Sequence, residues 1–316
     1  MHTMKLQHCL GALVAVTLMA CGTLAATDDG ETSTDTDASD ATDTSDTDTD
    51  TDTDTGTEEA SRGLPEGMST WSGQLEVNGV LFAAEASITN TGGDLQAAVT
   101  IMDHPDQPVG FGEAEYSLTG THEPGSGLVA LAPDDWIVDP PTPIELVGFD
   151  GSYDPDTQTL SGMVVDYASG LDNSLTGGPV TLELVDGPGE PTVVGDEAAS
   201  LANGSQTFTG QLQCTGPVRE VEGELVYDGQ GRVSGSLTLG DPGLDTPVGT
   251  FAIGGVHNPS TGGVTLIPGL WTPNANHNLL TFFIDGTYDP STGEFDGDQR
   301  TNTAVCPPGQ WQTSIE

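Results

Sequence analysis

The chain has 316 residues, of which 49 are Asp or Glu and only 5 are Lys or Arg, a formal net charge of −44. Nucleic acid is excluded as a partner, because phosphates are held by Lys and Arg, and anionic lipid head groups are disfavoured for the same reason. High negative charge favours solubility and suits a salty exterior, where screening limits self-repulsion.

Residues 1–20 read MHTMKLQHCLGALVAVTLMA, with Lys5 ahead of an apolar run from Cys9 to Ala20. The run is about half the ~20 residues a membrane-spanning helix needs, so the pattern predicts an export signal. It ends in Leu18-Met19-Ala20-Cys21, which resembles the lipobox of bacterial lipoproteins. The resemblance implies removal of residues 1–20, lipidation of Cys21 and a membrane partner reached through that lipid. Several acyl chains on Cys21 anchor stably where a single chain is marginal. Gly22 stands where an Asp would signal inner-membrane retention, so the implied location is the outer membrane or cell surface of a Gram-negative bacterium. The alternative is an ordinary secretory signal cut near Ala25, with Cys21 lost.

Residues 21–70 form the next unit. From Thr27 to Glu59 the chain is nearly all Thr, Asp and Ser, with fourteen acids and no base. Such a stretch cannot bury enough apolar surface to offset chain entropy, and self-repulsion extends it. It is expected to be a disordered, lipid-anchored acidic tether. Its alternating Asp invites comparison with a calcium-binding EF-hand loop, which needs Gly at position six and Glu at twelve. Counted from Asp50, Gly56 falls at seven and Ser61 at twelve. The register fails.

From Trp71 the sequence is duplicated. "WSGQLEV" at 71–77 returns as "FTGQLQC" at 208–214, and "FDGSYDPDTQTLSG" at 149–162 returns as "IDGTYDPSTGEFDG" at 284–297. Trp136 maps on Trp271, His122 on His257 and Tyr153 on Tyr288 at a constant offset of 135. Similarity of this length and order predicts two tandem domains, 71–187 and 206–316, joined by a Gly-, Pro- and acid-rich linker at 188–205.

Each domain reads as strands. Segments such as "LQAAVTIM", "LVALAP" and "ELVYD" are short, β-branched or aromatic, and bounded by Gly, Pro, Asn or Asp. No helical stripe with caps follows the signal segment. About eight strands per domain are expected, in the second at roughly 206–214, 217–227, 231–239, 247–257, 262–267, 278–288, 294–302 and 308–314. The fold class is therefore all-β: two antiparallel meander domains, each a small barrel or a sandwich. With eight Phe, five Tyr and four Trp in the chain, the cores are expected to be mainly aliphatic and packed.

One loop device recurs four times: "THEPGSG" at 121, "SYDPDTQ" at 152, "VHNPSTG" at 256 and "TYDPSTG" at 287. Three copies place Asp or Asn before Pro, where the side chain accepts from the backbone and Pro presets φ for a turn. These are read as hairpin turns. As an EF-hand from Asp285, the last copy would put Pro290 where Gly is required.

Candidate sites are few. With Cys9 removed and Cys21 lipidated, Cys214 and Cys306 remain, an even pair in an exported protein and an expected disulfide. They would tie the first strand of domain two to the region before its last. No nucleophile elbow, phosphate-binding loop or zinc-protease motif is present. His122 and His257 sit before equivalent turns and are read as strand-end residues, with metal ligation the alternative; His104 and His277 are assigned nothing. No cofactor, metal site or catalytic residue is expected. "APDDWIVDPPTP" (132–143) and "IPGLWTPNANHN" (267–278) are read as long loops carrying Trp136 and Trp271, candidate binding residues for a glycan or an envelope protein. The alternative is that both indoles cap the core.

The sequence thus points to a cell-envelope lipoprotein, not an enzyme, with a binding or structural role. A calcium-dependent adhesion module and a hydrolase of carbohydrate or peptide are the alternatives. Oligomeric state is left open.

Overall fold

In the computed structural model the described residues are 62–141, 144–167, 177–213, 218–240, 247–272, 281–300 and 309–315. Cys21, Cys214, Cys306 and His277 lie outside them, as do residues 1–61 with the signal and all of the expected tether but 62–70. Sixteen strands and no helix are found among the described residues. The first eight are β1 (Gly67–Val77), β2 (Val80–Thr91), β3 (Asp94–Asp103), β4 (Glu113–Glu123), β5 (Leu128–Val138), β6 (Gly148–Asp154), β7 (Thr159–Val165) and β8 (Gly177–Asp186). The second eight are β9 (Gly204–Gln213), β10 (Val218–Tyr227), β11 (Arg232–Gly240), β12 (Pro247–His257), β13 (Gly263–Trp271), β14 (Phe283–Asp289), β15 (Glu294–Arg300) and β16 (Gly309–Ile315).

Each set is an up-and-down meander closed into a barrel. β8 returns to β1, with Leu75 opposite Val180, and β16 returns to β9, with Trp311 opposite Leu212. Closure removes the exposed edge strands that an open meander leaves. It also settles barrel against sandwich.

Alternation drives the inside–outside division. Along β2, Phe82, Ala84, Ala86, Ile88 and Asn90 are buried while their neighbours are not, the period-two signature of a sheet with one packed face. Side chains fill both interiors. The first barrel packs Trp71 edge-on to Tyr153, ring centres 5.8 Å apart, and Phe82 against Phe111 at 5.1 Å. The second core is mainly aliphatic, as expected, and Phe208, Phe251, Phe282, Phe295, Trp271 and Trp311 bury among its Leu, Val and Ile side chains. The few rings of the chain are spent inside.

The four recurring loops are turns of one kind. Asp154, Asn258 and Asp289 each accept from the backbone N–H two residues on, at 2.9, 3.0 and 2.8 Å. Glu123 does the same for Gly125 at 2.9 Å, its longer side chain also taking the Ser126 N–H. The side chain supplies a local acceptor that replaces a backbone one.

One boundary differs from the sequence reading. β1 begins at Gly67, ahead of Trp71, and Leu64 already belongs to the first core. The join at 188–205 is tied to both barrels: Thr192 is buried and donates to the Leu64 carbonyl at 2.8 Å, and Leu201 is buried in the second core.

Candidate functional site at the junction of the barrels

The barrels are packed side by side through the outward faces of β4–β6 and β12–β14. Ala130, Ala132, Tyr167, Val256, Ile267 and Phe283 form an apolar cluster there. These outward residues would be wet in an isolated barrel. Gly148 lets the contact close, since a Cβ at that position would overlap the Phe283 ring and come within 2.6 Å of the Leu131 carbonyl oxygen.

Strand register makes the junction a pseudo-twofold arrangement. In the first barrel Asp94, Thr121, Ala130 and Asp150 lie side by side across β3–β6. In the second, Arg232, Val256, Thr265 and Asp285 lie side by side across β11–β14. The two rows meet in opposite directions. Arg232 pairs with Asp150 at 2.6 Å, and the Thr121 and Thr265 hydroxyls are hydrogen-bonded to each other at 2.9 Å. Val256 and Ala130 are fully buried in the shared cluster. The remaining mates are two acids, Asp94 and Asp285, which line one cleft.

The flanking turns obey the same symmetry. Asn258 donates to the Gly92 and His122 carbonyls at 2.9 and 3.1 Å, lying over Gly93 at the β2–β3 turn. Glu123 lies over Gly231 at the β10–β11 turn, where a Cβ would come within 2.6 Å of its Cγ. Both glycines have positive φ, +101° and +93°, so backbone and space independently require Gly. A second ion pair, Arg300 with Asp134, also joins the barrels.

The cleft between β2–β4 and β14 has a volume of about 430 Å³. Its walls carry the hydroxyls of Thr89, Thr91, Thr119, Thr121 and Thr287, with Gln96 and the two acids. Burial pushes both carboxyls above their ordinary range. Asp94 adds repulsion at Asp285, while the Thr265 hydroxyl, donating at 2.7 Å, favours the charged form. Composition gave no access to this site, because two acids among 49 carry no local signal. The only available clue was register: Asp94 and Asp285 fall at the places where the other repeat has Arg232 and Asp150.

His122 and His257 serve another purpose. Nε2 of His122 accepts the Leu64 N–H at 2.8 Å, and its Nδ1 donates to the Leu128 carbonyl at 3.0 Å. His257 repeats this with the Leu201 N–H at 3.1 Å and the Gly263 carbonyl at 3.1 Å. Each neutral imidazole therefore clamps the segment entering its barrel to the strand that follows the turn. Burial pushes both down to about 4. Both ring nitrogens are used, which leaves none for a metal. Among the described residues no group of three or more His, Cys, Asp or Glu is arranged to hold a metal ion. His104 is half-buried, its Nδ1 accepting the Asp106 N–H at 3.2 Å, while Asp103 holds the loop by accepting the Val109, Phe111 and Gly112 N–H groups.

Trp136 and Trp271 lie on β5 and β13, not on loops. Trp271 is 2% exposed, edge-on to Phe251 at 4.9 Å. Trp136 is half-buried against the first core, edge-on to Tyr116 at 5.4 Å. Bulges at Phe251/Ile253 and Tyr116/Leu118 let both strands run on past the Pro residues that suggested loops. The structure separates the two indoles into different cores, so they frame no common groove. Neither a scan of protein-family models nor a search of curated proteins finds a match to this chain.

Proposed function

We propose that this is an exported, lipid-anchored protein of the cell envelope, with a non-catalytic binding or structural role at the cell surface. The observation that carries the reading is the solid head: both interiors are filled by side chains, and the barrels share an apolar cluster at their junction. Small eight-stranded barrels that hold ligands keep an open interior. Here recognition falls to the outer surface, with the acidic segment before Arg62 acting as a spacer from the membrane. The disulfide between Cys214 and Cys306 belongs to the same proposal, and the adjacency of β9 and β16 supports it. The anchor is tested by mass spectrometry of the mature N-terminus and by membrane fractionation. Acylated Cys21 and release of the Cys21→Ser variant from membranes are the expected results. An unmodified N-terminus beyond Ala25 would overturn the anchor.

A further inference from the structure

Strand register gives the junction two equivalent grooves, and among the described residues the chain places a cation in only one of them. On one side the Arg232 guanidinium lies against Asp150. On the other, register puts Asp94 in the place of Arg232 and Asp285 in the place of Asp150. There a positive charge is replaced by a negative one, and a cleft of about 430 Å³ takes the place of the guanidinium.

We propose that this cleft is a binding site for an organic cation, a guanidinium or ammonium group, which bridges Asp94 and Asp285 as Arg232 engages Asp150 in the sister groove.

Four features fit that occupant. The two carboxylates offer paired acceptors, which a planar guanidinium matches with parallel N–H donors. The Thr hydroxyls and Gln96 around them can take the remaining donors. The cleft is far larger than a bare metal ion, and among the described residues only two carboxylates line it, a low charge count for a calcium site. Without a cation, two partly buried carboxylates face each other, an arrangement that raises the energy of the charged forms. Nearby charges are Arg300, which favours the ionised form of Asp285 but is engaged with Asp134 and Asp298, and the acids themselves. Among the described residues no Arg or Lys lines the cleft, so the proposed cation comes from outside the chain. The source can be a small molecule or a basic side chain on another protein; the chemistry recognised is the same.

The test uses the purified full chain at low ionic strength, titrated by calorimetry and by NMR of the Asp94 and Asp285 carboxyls. The probes are methylguanidinium, free arginine, a Gly-Arg-Gly peptide and calcium chloride. Saturable binding of the guanidinium probes is expected, weakened about tenfold or more in Asp94→Asn and in Asp285→Asn, and weakened by salt. Stronger binding by the peptide than by free arginine would identify a protein side chain as the source, and the reverse a small molecule. Asp94→Arg should supply the missing cation in cis: it should raise the melting temperature and abolish binding. Calcium binding in preference to the organic cations would overturn the proposal. So would wild-type protein that binds nothing, or neutral variants that bind as wild type does. The proposal goes beyond the surface-binding reading and is separable from it, because acylation of Cys21 is scored independently.

Discussion

Acidification from pH 7 to pH 5 should lower the stability of the fold while both clamps stay neutral within it, because the two imidazoles are protonated in the unfolded chain before the folded one. In the folded protein His122 and His257 are held neutral, with pKa values of about 4 against the ordinary 6.5. The unfolded state therefore binds more protons between those values, and stability falls as pH falls. The contribution is fully present above pH 6.5 and is lost progressively toward pH 4. At pH 5 the loss is about 2 kcal/mol for each imidazole relative to pH 7, about 4 kcal/mol for the pair. The charges facing them are Glu66 and Glu123 at His122 and Glu123 at His257, and they only soften the shift. Glu145 works in the opposite direction: burial and then Asp166 push it up to about 7, so folding takes up a proton there between pH 4.5 and 7. A comparison with variants removes this opposing effect. Gln can imitate the neutral clamp, its carbonyl accepting the Leu64 or Leu201 N–H and its amide donating to the Leu128 or Gly263 carbonyl. The assay is guanidinium denaturation at pH 7, 6 and 5 for wild type and His122→Gln/His257→Gln. The variant should lose about 4 kcal/mol less than wild type across the range. Parallel pH profiles for the two proteins would refute the neutral-clamp argument.

Trp271→Ala should cost about 3–5 kcal/mol by opening a cavity beside Phe251, whereas half-buried Trp136→Ala should cost less; equal losses in thermal melts would contradict the burial difference. Gly148→Ala should destabilise by about 1–3 kcal/mol through overpacking against Phe283, and Phe283→Ala in the same chain should relieve part of that penalty, a coupling that a double-mutant cycle detects. Arg232→Met should cost at most about 1 kcal/mol, because Arg232 and Asp150 are each about a third exposed, and the difference should shrink in high salt. Reduction of the proposed Cys214–Cys306 bond should lower stability by about 2–4 kcal/mol; free thiols titrated in the unreduced protein would eliminate that bond.

Much of this fold is legible from residues alone. Period-two burial with Gly and Pro punctuation located the strands of the second barrel to within a few residues, β10 and β12 among them, because interior and exterior alternate and turns demand special φ. The Asp-Pro and Asn-Pro turns were legible for the same reason: their hydrogen bonds are local. What escaped depends on partners distant in sequence. Leu64 and Leu201 look like linker residues until a histidine 58 or 56 residues away accepts their N–H. Thr121, Ala130, Val256 and Thr265 read as ordinary outward strand positions, and only docking of the second barrel makes them interior. Trp271 sits before "TPN", which suggests a loop, but a bulge carries β13 far enough to bury it.

The entry to the first barrel has a mechanical consequence. The Glu66 N–H donates to the Glu190 carbonyl and the Thr192 N–H to the Leu64 carbonyl, so the incoming and outgoing segments brace each other before β1 begins. β1 is then bonded along one side to β2 over eleven positions and along the other to β8. Tension applied through the residues preceding Arg62 would pull β1 along its own axis. It would load both ladders in shear, many hydrogen bonds at a time, instead of peeling them singly like a zipper. An acidic tether of the kind proposed would thus pull on the strand best placed to resist being drawn out.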